Sequence, residues 1–372
     1  IGVYCALDTL LFFLFWELSL LPLYFLVSLW GVGPNRRFAA AKYTLIMLAS
    51  GVPLLFGFVT LAFNHAQVSG AALPGGLAFD LPTLLATPVS GSLQLIVFLL
   101  LLAGFAAKTP VFPLHTWLPA LAMEGPVGVS ALLVGLKLGV YGLIRFAVPL
   151  APDIARELHW LLAGLGTVGI LYGAVTALVQ TNLRRMLAYA GLSHVGLVLL
   201  GIASFSIQGI EGALMQTLNF VLVAGGLFLL TGFLYRRTGS TDTVSLGGAI
   251  HSMPRLGGLF LLFLLAAIGV PGTSGFPAEF LLIVATLNSH TGAGLAALFG
   301  AVIGAGYALG MYRRIFLGPQ TNPAVAQAHD LRPAEFGLAL CYATVIVTIG
   351  FWPSLVLDLI APAAKLWAGR VG

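Results

Sequence analysis

This chain is constrained above all by a series of apolar stretches, each long enough to cross a lipid bilayer as a helix. A helix needs about 20 predominantly apolar residues to span the hydrocarbon core. Of the 372 residues, 59% are hydrophobic and only 8% are charged, against roughly 25% charged residues in an average soluble domain. The sequence therefore predicts an all-α polytopic membrane protein whose surroundings are the lipid bilayer.

The apolar stretches predict about ten spans, at residues 8–31, 38–64, 91–122, 127–149, 157–179, 185–205, 210–235, 255–288, 292–316 and 333–358. The third contains Pro110, Pro113 and Pro119, and the eighth contains PGTSGFP at 271–277. Proline removes a backbone donor and clashes with the preceding turn. We therefore expect two discontinuous helices, which a membrane protein tolerates where the freed backbone lines a cavity or is buried in protein.

Basic side chains concentrate in alternate loops. The loops after the odd-numbered spans hold eleven of the 17 Lys and Arg residues: Arg36, Arg37, Lys42, Arg184, Arg185, Arg236, Arg237, Arg255, Arg313, Arg314 and Arg332. The other side holds Arg145, Arg156, Lys365 and Arg370. The positive-inside rule places the Arg-rich side at the cytoplasm or its organellar equivalent. The net charge of +5 arises mainly from these loops and gives no reason to expect nucleic acid as a partner.

The two discontinuous spans occupy corresponding positions in two consecutive blocks of five spans. An odd number of spans per block inverts the second block relative to the first. Inverted repeats with paired discontinuous helices indicate a transport site near the middle of the membrane. The sequence thus predicts two inverted five-helix repeats.

Five ionisable residues lie inside these apolar stretches: Glu17, Lys108, Lys137, His194 and Glu279. A charged group at the centre of a membrane helix costs from about 2.5 to more than 10 kcal/mol, and such residues typically mark an ion or proton path. All three residue types, Glu, Lys and His, exchange protons. We therefore interpret them as a proton path through the membrane.

Glu17 lies near the middle of the first span, and Lys108 lies at the predicted break of the third. If the two side chains are close, both are charged; if they separate, the lysine can release its proton. A static salt bridge that joins the two spans is the alternative. Replacing a buried ion pair by apolar residues often costs no stability, which favours the switch.

Three further residues complete the predicted path. Lys137 lies in the middle of its span with no acidic neighbour in sequence, and His194 is of the residue type that titrates closest to physiological pH. Glu279 follows the break of the eighth span. The alternatives are a packing role for His194 and a helix-capping role for Glu279. His115, beside the break of the third span, either extends the path or caps broken backbone.

The chain resembles a known family in five segments: WELSLLPLYFLVSLWG, AAKTPVFPLHTWLP, LKLGVYGLIRF, RRMLAYAGLSHVG and GVPGTSGFPAEF. The family is that of the M subunit (chain 4) of proton-pumping NADH:quinone oxidoreductase, respiratory complex I. The resemblance implies an antiporter-like bundle of fourteen helices with two inverted five-helix repeats. This chain would supply the fifth to fourteenth helices and a remnant of the fourth, with an N-terminal portion preceding Ile1.

The resemblance also implies roles for the five ionisable residues. Glu17 and Lys108 would form the carboxylate–lysine pair of the first half-channel, Lys137 would be the linking lysine, and His194 would lie between it and Glu279, the outward exit. The chain departs from the family pattern at three positions, where Ala120, Ala122 and Phe220 replace polar residues of the family. Gln216, Thr217 and Asn219, near Phe220, could hydrogen-bond water instead.

On this basis we divide the chain into residues 1–149, with the end of the fourth helix and most of the first repeat, 150–316, the second repeat, and 317–372, the final transmembrane helix and C-terminal tail. NADH, FMN, iron–sulfur clusters and quinone are expected on partner subunits and no cofactor on this chain. The expected partners are other membrane-arm subunits, especially the antiporter-like L and N subunits, in a bacterial inner (plasma) membrane or an organellar energy-converting membrane.

Three interpretations of function remain. The first is a proton-translocating, non-redox subunit of NADH:quinone oxidoreductase. The second is a subunit of a multisubunit Na+/H+ antiporter, or of a related membrane-bound hydrogenase or ferredoxin-linked complex. The third is a membrane scaffold without transport, in which the buried ionisable residues would be dispensable.

Overall fold

The chain forms a bundle of helices, and its computed structural model describes residues 1–135 and 137–371. Within these residues no β-strand occurs, and the only β-type pairing is two isolated bridges, Asp8 with Asp80 and Asn182 with Asp242. Apolar helices are expected here, because a helix satisfies all its backbone hydrogen bonds internally and so tolerates lipid.

The α-helices are, in order, α1 (Gly2–Cys5), α2 (Thr9–Leu18), α3 (Leu20–Trp30), α4 (Arg36–Ser69), α5 (Leu81–Ala86), α6 (Gly91–Lys108), α7 (Trp117–Glu124), α8 (Val127–Gly135), α9 (Leu138–Gly142), α10 (Val148–Leu150), α11 (Pro152–Glu157), α12 (His159–Leu178), α13 (Leu183–Ala203), α14 (Ile207–Asn219), α15 (Gly225–Thr238), α16 (Ala249–Ser252), α17 (Pro254–Ala267), α18 (Gly275–Ser289), α19 (Thr291–Tyr312), α20 (Pro323–Ala326), α21 (Pro333–Phe351) and α22 (Ser354–Val371). Short π-helical turns occupy Leu143–Ala147, Phe220–Ala224 and Arg313–Leu317, and a 3₁₀ turn occupies Thr243–Ser245.

The predicted spans are present. Nine helical segments of the described chain are long and apolar enough to cross a membrane, and two shorter apolar helices, α17 and α18, together make up the eighth predicted span. Many large apolar side chains on these helices are exposed, among them Leu45, Leu48 and Phe56 on α4. Exposed leucine and phenylalanine on a membrane helix face lipid, so the expected polytopic membrane fold is confirmed.

Both predicted breaks are also confirmed. The third span is divided into α6 and α7, which are separated by residues 109–116, and the eighth is divided into α17 and α18, separated by residues 268–274. Gly269 and Gly272 in the second break have φ angles of 65° and 89°, a region that is open to glycine and strained for other residues. The two breaks lie five spans apart.

Hydrogen bonds join the loops after the odd-numbered spans at one end of the bundle. Val32, after the first span, donates its backbone N–H to the carbonyl of Glu124, after the third, at 2.9 Å. Asn182, after the fifth, donates to Asp242, after the seventh, at 2.6 Å. Asn322, after the ninth, donates to the Ser245 carbonyl. We call this the Arg-rich end, because it carries the eleven basic residues of these loops.

The remaining loops meet at the opposite end. The Leu81 N–H, in the connection after the second span, donates to the carbonyl of Leu7 at 2.8 Å. Gln94, at the start of the third span, donates to Asp153, after the fourth, at 3.0 Å. The alternation of loops inferred from the charge count therefore corresponds to two distinct ends of the bundle.

Two features near the site were not predicted. Lys137 has non-helical backbone angles (φ −95°, ψ 65°) and immediately precedes α9, so the fourth span is not a uniform helix. The seventh span contains the π-helical turn Phe220–Ala224 between α14 and α15. Such turns occur frequently at functional sites. The tenth predicted span, 333–358, ends as a helix at Phe351, and its last residues together with the expected tail form the separate helix α22.

Candidate functional site

Glu17 occupies the last turn of α2, in the first span. Both carboxylate oxygens are shielded from solvent, and neither has a hydrogen-bond partner among the described residues. The carboxylate faces Gly51 of α4, where an added Cβ would overlap Oε1. The missing side chain at Gly51 therefore makes the space that this carboxylate occupies.

Lys108 is the last residue of α6, at the break of the third span. Its Nζ donates to the Trp16 carbonyl at 3.1 Å and to Ser19 Oγ at 3.4 Å, and lies 3.9 Å from the centroid of a Trp16 ring. The carbonyl and the ring face both stabilise an ammonium group. In the described chain no Lys108–Glu17 contact is closer than 4.0 Å, so the direct ion pair is not formed in this arrangement.

His115 lies in the same break, beside a cavity of about 640 Å³ at the Arg-rich end. Its ring packs against Phe112 and Tyr172, with centroids 5.7 and 5.1 Å away. Its Nδ1 is buried and makes no hydrogen bond within the described residues. The cavity is also lined by Lys42 and Ala120. His115 is thus placed where this cavity meets the protein interior.

Lys137 is almost completely buried, with 1% of its surface exposed. Its Nζ has no hydrogen-bond partner in the parts of the chain that the structure describes, and it lies 5.1 Å from the centroid of the Phe220 ring. An unpaired buried ammonium carries a large desolvation cost, and one ring face compensates only a small part of it. A stable structural role would provide an acceptor, so this arrangement favours a lysine whose charge is transient.

The break at Lys108 and the start of α9 are in direct contact. A Cβ added at Gly139, two residues after Lys137, would lie 2.5 Å from both the Thr109 amide nitrogen and the Phe105 carbonyl oxygen. Only glycine allows so close an approach of two backbones. The close packing at Gly139 therefore holds the backbone beside Lys108 against the backbone beside Lys137.

Phe220 neighbours both Lys137 and His194. Its ring centroid is 5.1 Å from Lys137 Nζ and 6.3 Å from the centroid of the His194 imidazole. The Phe220 ring carries no ionisable group, so it cannot itself pass a proton from Lys137 to His194. The sequence identified Phe220 as a departure from the family pattern, but not its proximity to both residues.

A buried polar cluster adjoins Phe220. Ser274 Oγ donates to Asn219 Oδ1 at 2.7 Å, and Asn219 Nδ2 donates to Gln216 Oε1 at 3.3 Å. Gln216, Asn219, Phe220 and His194 all line a second cavity, of about 30 Å³. A space of that size holds a water molecule when polar groups surround it. The suggested roles of Gln216 and Asn219 in binding water fit this geometry.

Two neighbours of this cluster differ from expectation. Thr217 donates its hydroxyl hydrogen to the Ala213 carbonyl of its own helix, at 2.7 Å. That hydrogen is therefore not available to a water molecule in the cavity. Ser274 was not singled out from the sequence. Its position within PGTSGFP, at a helix break in the membrane, was a usable signal, because freed backbone in a membrane helix is satisfied by small hydroxyl side chains and cavities.

His194 and Glu279 meet across α13 and α18. His194 Nε2 lies 3.8 Å from Glu279 Oε1, and their side chains are 18% and 10% exposed. Glu279 Oε2 faces Gly269, in the break of the eighth span. Both residues line a cavity of about 20 Å³ that also contacts Tyr307 on α19, a residue that sequence reasoning missed. The pairing of His194 with Glu279 matches their expected adjacency, and it gives Glu279 a partner beyond a helix-capping role.

The structure thus brings together Lys137, Phe220, His194 and Glu279 in one row of successive contacts. His115 lines the cavity at the Arg-rich end, and Lys108 lies at the same break of the third span. Each of the six candidate residues is an acid or a base that can hold a proton. Within the described residues no group of three or more His, Cys, Asp or Glu side chains could hold a metal ion.

Comparisons with known proteins give one consistent family. The profile of the family described as "NADH:quinone oxidoreductase/Mrp antiporter, TM" matches residues 6–304. The chain is 38% identical over 366 residues to "NAD(P)H-quinone oxidoreductase chain 4 1" of Synechococcus sp. (strain JA-3-3Ab), covering 95% of this chain and 68% of the relative. It is 36% identical over 379 residues to "NADH-quinone oxidoreductase subunit M" of Pseudomonas aeruginosa, covering 99% of this chain and 73% of the relative.

The fold is similar to that of a solved structure. A chain of "Respiratory complex I from Thermus thermophilus with bound NADH" superposes with a TM-score of 0.91 at 34% sequence identity, covering 100% of this chain and 77% of that chain. The similarity extends over all the helices described above, including both discontinuous spans.

Proposed function

Because this chain belongs to the family of NADH:quinone oxidoreductase and Mrp antiporter transmembrane subunits, we propose that it is the M subunit (chain 4) of a proton-pumping NADH:quinone oxidoreductase. It takes up protons at one membrane face and releases them at the other. It carries no redox group itself, and NADH, FMN, iron–sulfur clusters and quinone belong to partner subunits. Its neighbours in the membrane arm are the antiporter-like L and N subunits.

The row of buried ionisable residues carries this proposal. Lys137 supplies a proton-binding site without a permanent counter-ion, and His194 with Glu279 supplies a base and an acid 3.8 Å apart. A charged side chain at this depth in the membrane has a high free energy. Transfer of a proton from Lys137 to the His194–Glu279 pair removes that charge from Lys137. Coulomb attraction within the pair then stabilises the protonated histidine beside the carboxylate.

Protons enter this row from the Arg-rich end. The cavity of about 640 Å³ reaches His115 there, and Lys108 lies at the same break of the third span. Contact between Thr109 and Gly139 joins that break to the segment that carries Lys137. Movement of Glu17 towards Lys108 would form the ion pair that this arrangement lacks, and would hold the lysine charged. Energy released by quinone reduction in partner subunits drives such changes.

Release occurs through the half of the bundle beyond Glu279. The small cavity at Glu279 lies between α12, α13, α18 and α19 and extends along Ile283 and Ala297 towards the end opposite the Arg-rich end. By the positive-inside rule this is the outer face of the inner membrane. Glu279 is therefore the last titrating group within the membrane.

The alternative within the family is an antiporter subunit that exchanges sodium for protons. The deciding experiment uses the intact complex in sealed proteoliposomes and follows the internal pH on addition of NADH and quinone, with and without sodium. We expect proton translocation at an undiminished rate in sodium-free buffer. Translocation that requires sodium, or sodium-driven proton movement without any electron donor, would support the antiporter instead.

A further inference from the structure

Two histidines face each other at the end of the bundle opposite the Arg-rich end. His159 is the first residue of α12, and His290 lies in the connection between α18 and α19. His159 Nδ1 and His290 Nε2 are 2.6 Å apart, and the ring centroids are 4.8 Å apart. Two imidazole nitrogens at this distance share a single proton in one hydrogen bond.

Ser289 orients the second ring. Its Oγ donates to the Ala285 carbonyl at 3.0 Å, so it is left to accept a hydrogen bond from His290 Nδ1, which lies 3.0 Å away. His290 then carries its hydrogen on Nδ1 and its lone pair on Nε2, directed at His159. Metal-binding histidines are oriented in the same way, by an acceptor for the nitrogen that does not bind the ion.

We propose that His159 and His290 form a binding site for one divalent transition-metal ion such as Zn2+, with water molecules in the remaining coordination positions. Imidazole nitrogen is a preferred ligand of Zn2+, Cu2+ and Ni2+. Two nitrogens that each lie about 2.0–2.1 Å from a tetrahedral zinc ion are roughly 3.3 Å apart. Binding therefore requires the two rings to separate by under about 1 Å, a small rotation for an exposed side chain such as His159.

The location gives the site a consequence that rests on the proposed function. The cavity at Glu279 is enclosed by α12, α18 and α19, through Ile170, Ile283 and Ala297 respectively. His159 begins α12, and His290 connects α18 to α19. An ion bound to both histidines links the helices on the two sides of this cavity at their outer ends. It should hinder any separation of these helices that proton release requires.

The first experiment measures binding alone. The intact complex is stripped with a chelator, equilibrated with Zn2+ by dialysis and analysed for bound metal by mass spectrometry. We expect His159→Ala and His290→Gln each to lose one bound ion per complex relative to the parent. Ser289→Ala should keep the site but weaken it by about tenfold. His251→Gln, a substitution at the Arg-rich end, is the matched control and should bind as the parent does. Equal zinc content in the parent and both histidine variants would overturn the proposal.

The second experiment separates this site from the proposed function. Zn2+ is enclosed in the lumen of proteoliposomes, which the end of the bundle carrying the two histidines faces when externally added NADH drives pumping, and the rate is compared with that of His290→Gln. Slower pumping in the parent alone supports control of proton release by the ion. If His290→Gln binds one zinc ion fewer than the parent but zinc does not slow pumping in the parent, the binding site is confirmed and regulation of proton release by the ion is ruled out. A parent complex that binds zinc but never pumps contradicts the proposed function and leaves the binding result standing.

Discussion

The His194 imidazole and the Glu279 carboxylate meet across α13 and α18, with Nε2 and Oε1 separated by 3.8 Å. Each residue comes from a different part of the second five-span block, and Glu279 follows its helix break by a few residues. Their contact turns two isolated intramembrane residues into an acid–base pair. The state of this pair, either ionic or neutral, determines whether the interior beside it tolerates another charge.

We predict that Glu279→Gln lowers quinone-linked proton pumping by at least about tenfold, with little effect on assembly. The amide keeps the volume of the side chain but has no exchangeable carboxyl proton. Pumping is measured by dye quenching in sealed vesicles, and assembly by the NADH:quinone activity. Glu157→Gln, at the exposed end of α11, is the matched control. Normal pumping by Glu279→Gln would contradict the role of the pair in proton release.

Lys137→Arg tests whether the buried lysine carries a proton or only a charge. Arginine stays protonated at any relevant pH, so it preserves the charge but cannot release it. We expect pumping to fall in Lys137→Arg as far as it falls in Lys137→Ala. Lys365→Arg, on the exposed part of α22, should pump normally. If the arginine variant pumps and the alanine variant does not, Lys137 is a fixed charge and its role as a carrier is wrong.

Gly51→Ala should separate stability from function. Alanine is favoured over glycine inside a helix by about 1 kcal/mol, so α4 itself is not weakened. The new Cβ overlaps the Glu17 carboxylate, which must then move. We expect a complex of normal thermal stability that pumps protons more slowly. The control is Gly164→Ala on α12, where an added Cβ meets no atom within 4 Å. Unchanged pumping in Gly51→Ala would show that the position of Glu17 is not critical.

Gly269→Ala should affect both properties. Gly269 has a φ of 65°, and a side chain in this region costs about 1–2 kcal/mol. The added Cβ would also lie 2.5 Å from Glu279 Oε2. We therefore expect a lower melting temperature together with slower pumping. Gly292→Ala, in α19 with open space around it, serves as the control. A Gly269→Ala complex as stable as the parent would show that a side chain at position 269 causes no backbone strain.

Much of this architecture could be predicted from composition and pattern alone. The length of the apolar stretches predicts the spans, because a helix satisfies its backbone hydrogen bonds internally and so tolerates lipid. Pro110 and the prolines in the segment 271–277 predict the two breaks. The count of Lys and Arg residues in alternate loops predicts which loops lie together at each end of the bundle. The irregular backbone at Lys137 has no proline nearby in sequence, so no local signal predicted it. Its cause is tertiary, since the close approach of Gly139 to Thr109 fixes the path of the chain there.

The contacts within the site were harder to predict than its members. Burial and residue type identify Glu17 and Lys108 as unusual, but the choice of partner depends on side-chain geometry. Lys108 reaches the Trp16 carbonyl and Ser19 rather than the Glu17 carboxylate. The sequence places all three acceptors within one helical turn of each other, so spacing alone could not separate them. The same limit applies to Ser274, whose partner Asn219 is distant in sequence.

The position of Phe220 leads to the last prediction. Its ring neighbours both Lys137 and His194, and the polar cluster of Gln216, Asn219 and Ser274 lies beside it. We infer that water held by this cluster carries the proton around the ring. Asn219→Leu removes the central member of the cluster and leaves the ring in place, so pumping should fall by at least about tenfold. The Thr217→Val variant is the control, because the Thr217 hydroxyl bonds its own helix.

A second substitution tests directly whether protons pass through the water held by this cluster. Phe220→His places a titratable ring near both Lys137 and His194, which offers the proton a path that does not need the cluster. The double variant Asn219→Leu with Phe220→His should therefore pump faster than Asn219→Leu alone, although it retains the same defect in the cluster. Quinone reduction in both variants is measured in parallel, so that a change in pumping is distinguished from a change in assembly. Undiminished pumping by Asn219→Leu, or no recovery in the double variant, would show that protons do not pass through this cluster.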